Sequence, residues 1–175
     1  MLKTLFRKRP GERIGASLYA AAVTQARQPG FYTVLGVADR IDARFEIYTL
    51  HVLLLILRLR DEGEAGAETA QSLFDVYVSA LDNALRELGV GDISMARKMR
   101  NLGEALYGRM TAYERPLRDA DAVELAVHLA RNVHESDDPG RGEALARYAL
   151  QARAALTAQS FAEVAANPLW PEIAA

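Results

Sequence analysis

The sequence predicts an all-α fold, a single-domain bundle of six or seven helices around a central buried helix at about 39–60. Three observations carry that expectation. Alanine is abundant and β-branched residues are few over the 175 residues, a composition that favours helices. The one short apolar run whose length permits a strand, Phe31 to Val37, has no second strand to pair with. Finally, DRIDARFEIYTLHVLLLILRLR, Asp39 to Arg60, can be drawn as one unbroken helix with two apolar lines. At about 3.6 residues per turn, Ile41, Phe45, Tyr48, Val52, Leu55 and Leu59 share one line. Ile47, Leu50, Leu54 and Leu57 form the other, on the opposite side. A surface helix carries a single stripe, so two stripes predict packing on both sides. A membrane span is the rival reading. The longest uncharged run, Ile47 to Leu57, falls far short of the roughly 20 residues a bilayer needs.

The chain divides into a basic N-terminal arm (1–11), a helical domain (12–166) and a C-terminal tail (167–175). The arm carries Lys3, Arg7, Lys8 and Arg9. It reads either as a contact for anionic lipid or RNA, or as a solvated, frayed end. It lacks the continuous apolar core of a secretory signal. A first helix is expected from about Glu12 to Gln28, stopped by Pro29-Gly30. The apolar segment after it reads as irregular chain pressed onto the bundle, with Asp39 as N-cap of the central helix.

An exposed Gly- and Glu-rich turn, Asp61 to Ala67, leads to a third helix ending near Leu88, with Leu73, Val76, Tyr77, Ala80, Leu81, Ala84 and Leu88 as its apolar face. Gly89 suits a left-handed C-terminal position and Asp92 an N-cap. A Gly-x-Gly with neither a preceding strand nor a third glycine is no dinucleotide fingerprint. The fourth helix, about Ile93 to Glu114, has the stripe Met95, Met99, Leu102, Leu106, Met110 and Tyr113. Arg97, Lys98 and Arg100 crowd one turn of it with no acid among them, a solvated face by default. A fifth helix spans about Asp121 to His134, and a proline-led start after Asp138 opens a sixth, about Arg141 to Thr157. Ser160 and Glu163 form a capping-box pattern that opens a short terminal helix through Ala166. Trp170 either tucks against the bundle or belongs to an exposed tail.

The composition also excludes chemistry. With no cysteine there are no disulfides, thiolate metal sites or cysteine nucleophiles. A net charge of −2 does not suggest a nucleic-acid binder as a whole-chain property. The three histidines form neither His-x-x-x-His nor Glu-x-x-His, so the common zinc-hydrolase and di-iron bundle patterns are absent. Glu124 and His128 fit a surface hydrogen bond better than a ligand pair. No Walker loop or nucleophile elbow is present, and no nucleophile, base and orienter assemble. No cofactor is expected.

Three stretches together resemble the ubiquinol-cytochrome c chaperone family: SLYAAAVTQARQPGFYTVLGV (17–37), the central helix (39–60) and LFDVYVSALDNALRELGVGDISMARKMRNLGEALYGRMTAY (73–113). The matching features are the Tyr19 helix followed by Pro29 and Phe31-Tyr32, the Asp42-x-Arg44-Phe45-Glu46 entry, and His51 in an apolar run. The Leu73-Phe74-Asp75 start, the Arg86–Asp92 hinge and Tyr107-Gly108-Arg109 follow in order. The first ten and last sixty residues match less clearly. The resemblance implies an all-helical, non-enzymatic assembly factor acting on newly made cytochrome b, with no catalytic residues to carry over. Mitochondrial members also partner a second small factor and associate with the ribosome. The short chain without a presequence resembles a bacterial member, in the cytoplasm and near the inner membrane.

A surface for a nascent membrane protein is expected to combine the basic edge Arg40, Arg44, His51 and Arg58 with Phe31, Tyr32, Tyr107 and Arg109. Arg44 serves equally as half of a buried pair with Asp42 or Glu46. Two other readings stand beside the chaperone: a bundle binding haem or a quinone through His51 or a tyrosine, and an isoprenoid enzyme. For the latter, Asp39-x-x-Asp42 alone is a poor metal motif.

Overall fold

The computed structural model describes residues 10–173. Its elements are α1 (Pro10–Ala26), α2 (Pro29–Thr33), α3 (Ile41–Arg60), α4 (Glu64–Glu87), α5 (Asp92–Asp119), α6 (Ala122–Val133), a 3-10 turn (Pro139–Gly142), α7 (Glu143–Ala158) and α8 (Phe161–Ala166). The described chain is all-α, with no strand. The one element beyond the expected set is α2, where the apolar segment coils into a single turn. Pro29 at its start sacrifices no helical hydrogen bond, and Phe31 is driven inside to complete exclusion from solvent.

α3 is the hub. Every residue from Thr49 to Leu59 is buried, and both expected stripes contribute: Ile47, Leu50, Leu54, Leu55 and Leu59 are fully enclosed. α1, α4, α6 and α7 surround it. α1 crosses α4 so closely that a Cβ on Gly15 would sit 2.7 Å from the Ser72 carbonyl carbon, which requires glycine there.

The buried polar groups on α3 are satisfied. Tyr77 Oη donates to Thr49 Oγ1 (2.6 Å), which itself donates to the Phe45 carbonyl (2.8 Å). At the far end of the helix Arg58 donates to the carbonyls of Leu156 (2.8 Å) and Gln159 (2.7 Å). These are the orphan acceptors at the end of α7, where a cation also complements the helix dipole. Asp61, just past α3, accepts from Arg118 (2.9 Å) and from Arg153, tying α3 to α5 and α7. Burial raises the Asp61 pKa, but the two guanidiniums outweigh it and hold the carboxyl below its ordinary range.

Several boundaries differ from expectation. Arg40, not Asp39, is the N-cap of α3, with no side-chain cap bond. Asp39 pairs with Arg44 (2.6 Å) instead, because a carboxylate gains more from a guanidinium than from a backbone amide. Asp92 opens α5 from inside, behind Gly91. α5 also runs on through Pro116 to Asp119 rather than stopping near Glu114. Pro116 loses one bond as a donor but still accepts from Ala120 and Asp121, and Leu117 anchors the last turn in the core.

Other local signals agree with the structure. Gly89 (φ 80) closes α4 in a Schellman arrangement, with Val90 N–H on the Leu85 carbonyl (3.1 Å) and Gly89 N–H on that of Arg86 (2.9 Å). Asp121 caps α6, and Ser160 and Glu163 form the capping box of α8.

Candidate binding groove

α4 and α5 form an antiparallel hairpin whose outer half stands off from the bundle. Between Tyr77 on α4 and Leu106 on α5, Met95 is the one side chain buried among those described. Leu81, Leu85 and Leu102 there are only half-covered and Leu88 is exposed, although all four sit on the apolar stripes of their helices. The reason is geometric. Among the described residues α1 and α3 pack along α4, while α4 and α5 approach each other at few positions.

The inner side of this hairpin, the first turns of α3 and the end of α6 enclose a groove of about 520 Å³. Ile41, Phe45, Leu81, Leu85, Leu88 and Leu102 give it apolar walls. Asp42, Arg131 and Glu135 also line it, together with one buried ion pair. Arg109 of α5 donates from Nη2 to Glu46 Oε1 (2.6 Å) and from Nε to Oε2 (3.0 Å), a two-pronged contact between α5 and α3. Glu46 is 7% exposed and Arg109 23%. Burial outweighs the guanidinium and holds the Glu46 carboxyl above its ordinary pKa. A buried pair of this kind contributes little net stability while fixing a polar point in an apolar wall.

The expected surface residues separate into four places. Arg109 lines the groove, while Tyr107, 74% exposed, points away from it on the outer face of α5. Arg40 and Arg44 are exposed, on Glu135 (2.9 Å) and Asp39 respectively. The expected buried pair of Arg44 with Asp42 or Glu46 is therefore not formed, since Asp39 is the nearer partner and Glu46 belongs to Arg109. Tyr32 is half-buried under the Arg44 guanidinium, 5.6 Å from the ring centre. Phe31, His51 and Arg58 are inside the protein, so the basic edge is not one continuous surface. Lys3, Arg7, Lys8 and Arg9 lie outside the described residues.

His51 has a structural explanation. Nδ1 lies 2.8 Å from the Ile47 carbonyl, which can only accept, so Nδ1 carries the proton. Nε2 then accepts from Tyr148 Oη (2.8 Å), and that hydroxyl accepts from Gln25 (3.0 Å). Phe31 and Trp170 pack edge-on against the imidazole at 5.2 and 5.0 Å, so the C-terminal tail closes this box. Burial lowers the imidazole pKa to about 4 and keeps it neutral. Both ring nitrogens are committed, leaving no lone pair for a haem iron unless the Tyr148 bond breaks. Glu124 and His128 approach only to 4.0 Å at the surface.

Residue-by-residue reasoning missed the groove. Leu81, Leu88 and Leu102 were legible as apolar stripes, but a stripe does not say whether anything covers it. Glu46 was read with Arg44, two residues away; its partner is 63 residues distant.

A family model described as ubiquinol-cytochrome C chaperone matches residues 33–170. Ubiquinol-cytochrome-c reductase complex assembly factor 1 of Xenopus laevis is 23% identical over 133 residues, spanning 75% of this chain and 66% of that protein, just under two thirds of its length. The crystal structure of the Cbp3 homolog from Brucella abortus superposes with a TM-score of 0.83 at 33% identity, covering 99% of this chain and 98% of that one.

Proposed function

Since the chain belongs to the ubiquinol-cytochrome c chaperone family, we propose that it assists assembly of ubiquinol-cytochrome c reductase by holding newly made cytochrome b in the hairpin groove. The observation that carries this reading is a set of apolar side chains, partly covered or exposed, gathered near one buried ion pair. A folded domain gains by covering leucines, and leaving Leu81, Leu85, Leu88 and Leu102 half-open favours an occupant that brings its own apolar face. A membrane-protein segment before insertion is such an occupant: an apolar helix laid into a groove, with a polar anchor to set its register. Holding and releasing a segment needs no bond-making, so the role is non-enzymatic. No helix among the described residues is long and apolar enough to cross a membrane. The work is assigned to the cytoplasmic face of the inner membrane, with peripheral attachment. A second assembly factor and the ribosome are further partners that this role accommodates.

The test is capture from gently solubilised membranes of the source cells, read by mass spectrometry. Wild-type protein is expected to enrich cytochrome b, and Leu85→Glu with Leu102→Glu to lose it while retaining helical content. Wild-type protein that captures no cytochrome b would contradict the proposal.

A further inference from the structure

The outer tip of the hairpin has a second chemical character, adjoining the groove on its inner side and sharing Leu88 with it. Along α5, Ile93, Arg97, Arg100 and Tyr107 fall on one line, opposite the stripe of Met95, Leu102 and Leu106 that faces inward. Ile93 is completely exposed, and Leu88, across the turn at the end of α4, is 61% exposed. Two large aliphatic side chains thus stand in water on either side of the α4–α5 turn. The hairpin reaches roughly 15 Å past Tyr77, the last buried residue of α4, at 1.5 Å per residue.

Arg97, Lys98 and Arg100 follow within the next two turns, all exposed and none in an ion pair among the described residues. Elsewhere the exposed arginines are mostly matched. Arg40, Arg44, Arg115, Arg131 and Arg147 each lie against an acid. On the basic line itself the first acid is Glu104, one turn beyond Arg100. Uncompensated cations next to exposed aliphatics match an interface that is anionic at its surface and apolar just beneath. A nucleic acid would use the cations but gain nothing from isoleucine, and it prefers aromatic rings for stacking. The nearest exposed aromatic on this line, Tyr107, lies about 21 Å along the helix from Ile93.

We propose that the α4–α5 tip, with Ile93 and Leu88 flanked by Arg97, Lys98 and Arg100, is an anionic-lipid contact that seats the protein on a membrane surface. The hairpin then works with both sides. Its tip touches the bilayer while its inner wall faces the groove, holding the groove mouth within reach of segments entering or leaving the lipid.

The test is flotation of the full chain with vesicles of phosphatidylcholine alone and of phosphatidylcholine mixed with an equal amount of phosphatidylglycerol. Wild-type protein is expected to float with the mixed vesicles only, and less in high salt. Arg97→Gln, Lys98→Gln and Arg100→Gln combined should weaken partitioning on the order of 100-fold, at roughly fivefold per cation. Ile93→Ser should weaken it roughly tenfold. All four positions are exposed, so circular dichroism should not change. Neutralising Lys3, Arg7, Lys8 and Arg9 instead should leave the tip variants' effect intact. The proposal is overturned if the triple variant floats like wild type or if both vesicle types bind equally. It is also overturned if the triple variant loses binding to an RNA homopolymer while Ile93→Ser binds vesicles and RNA unchanged. Cytochrome b capture in detergent is a separate readout, which the tip variants should leave intact whether or not the lipid contact holds.

Discussion

The bundle around α3 and the outer half of the α4–α5 hairpin are built from similar side chains and treat them in opposite ways. In the bundle, Leu50, Leu54 and Leu59 are shut away, and even the polar groups His51, Thr49 and Arg58 have partners. In the hairpin, Leu81, Leu85, Leu88 and Leu102 remain half-open or exposed. The first region buries its apolar surface in folding, while the second leaves part of it open, where the proposed client would sit.

That contrast predicts a gradient of mutational effects. Leu54→Ala, at the centre of α3, should cost about 4 kcal/mol in urea unfolding while leaving the groove chemistry as it is. Arg109→Ala comes next, at about 3 kcal/mol, because it strands the Glu46 carboxylate in the groove lining. Replacing both residues with leucine should recover most of that loss, which a double-mutant cycle would reveal. If the double variant keeps its stability but loses cytochrome b, the pair acts in recognition.

The His51 box should make the bundle, and not the hairpin, sensitive to mild acid. Its folded pKa of about 4 lies below the ordinary 6.5, so the unfolded chain binds the extra proton first as pH falls. Stability from the neutral imidazole is complete above about pH 6.5 and is lost progressively down to about pH 4, by roughly 3 kcal/mol. Urea midpoints measured across that range should fall for wild type and flatten in His51→Gln. Smaller again, Leu85→Ala with Leu88→Ala should change stability by less than about 1 kcal/mol yet reduce client capture. At the bottom of the scale, Arg44→Ala should leave the urea midpoint where it was, since its pair with Asp39 is solvent-exposed.

What the sequence disclosed follows the same division. Signals that act within a few residues were mostly readable: the Ser160–Glu163 box, the Gly89 stop, and the double stripe that makes α3 central, although the Asp39 and Asp92 caps were each one residue off. The missed features depend on chain segments meeting at long range. Arg58 finds its carbonyl partner 98 residues away, and His51 finds Tyr148 at 97. Both looked like members of a charged edge because the helical wheel shows direction and not what lies there. The fourth helix outruns its expected end near Glu114, since a buried Leu117 holds the last turn past Pro116. The family resemblance carried the functional reading further than any residue pattern did, and the groove is the place proposed for it.

The most direct test is a photo-crosslinking map during synthesis of cytochrome b. A photoreactive residue would replace Leu85 in the groove wall in one protein and exposed Ala154 on α7 in another. A cytochrome b adduct at position 85, and none at 154, is the expected result. An adduct at 154 with none at 85 would move the client from the groove to α7 and contradict the account.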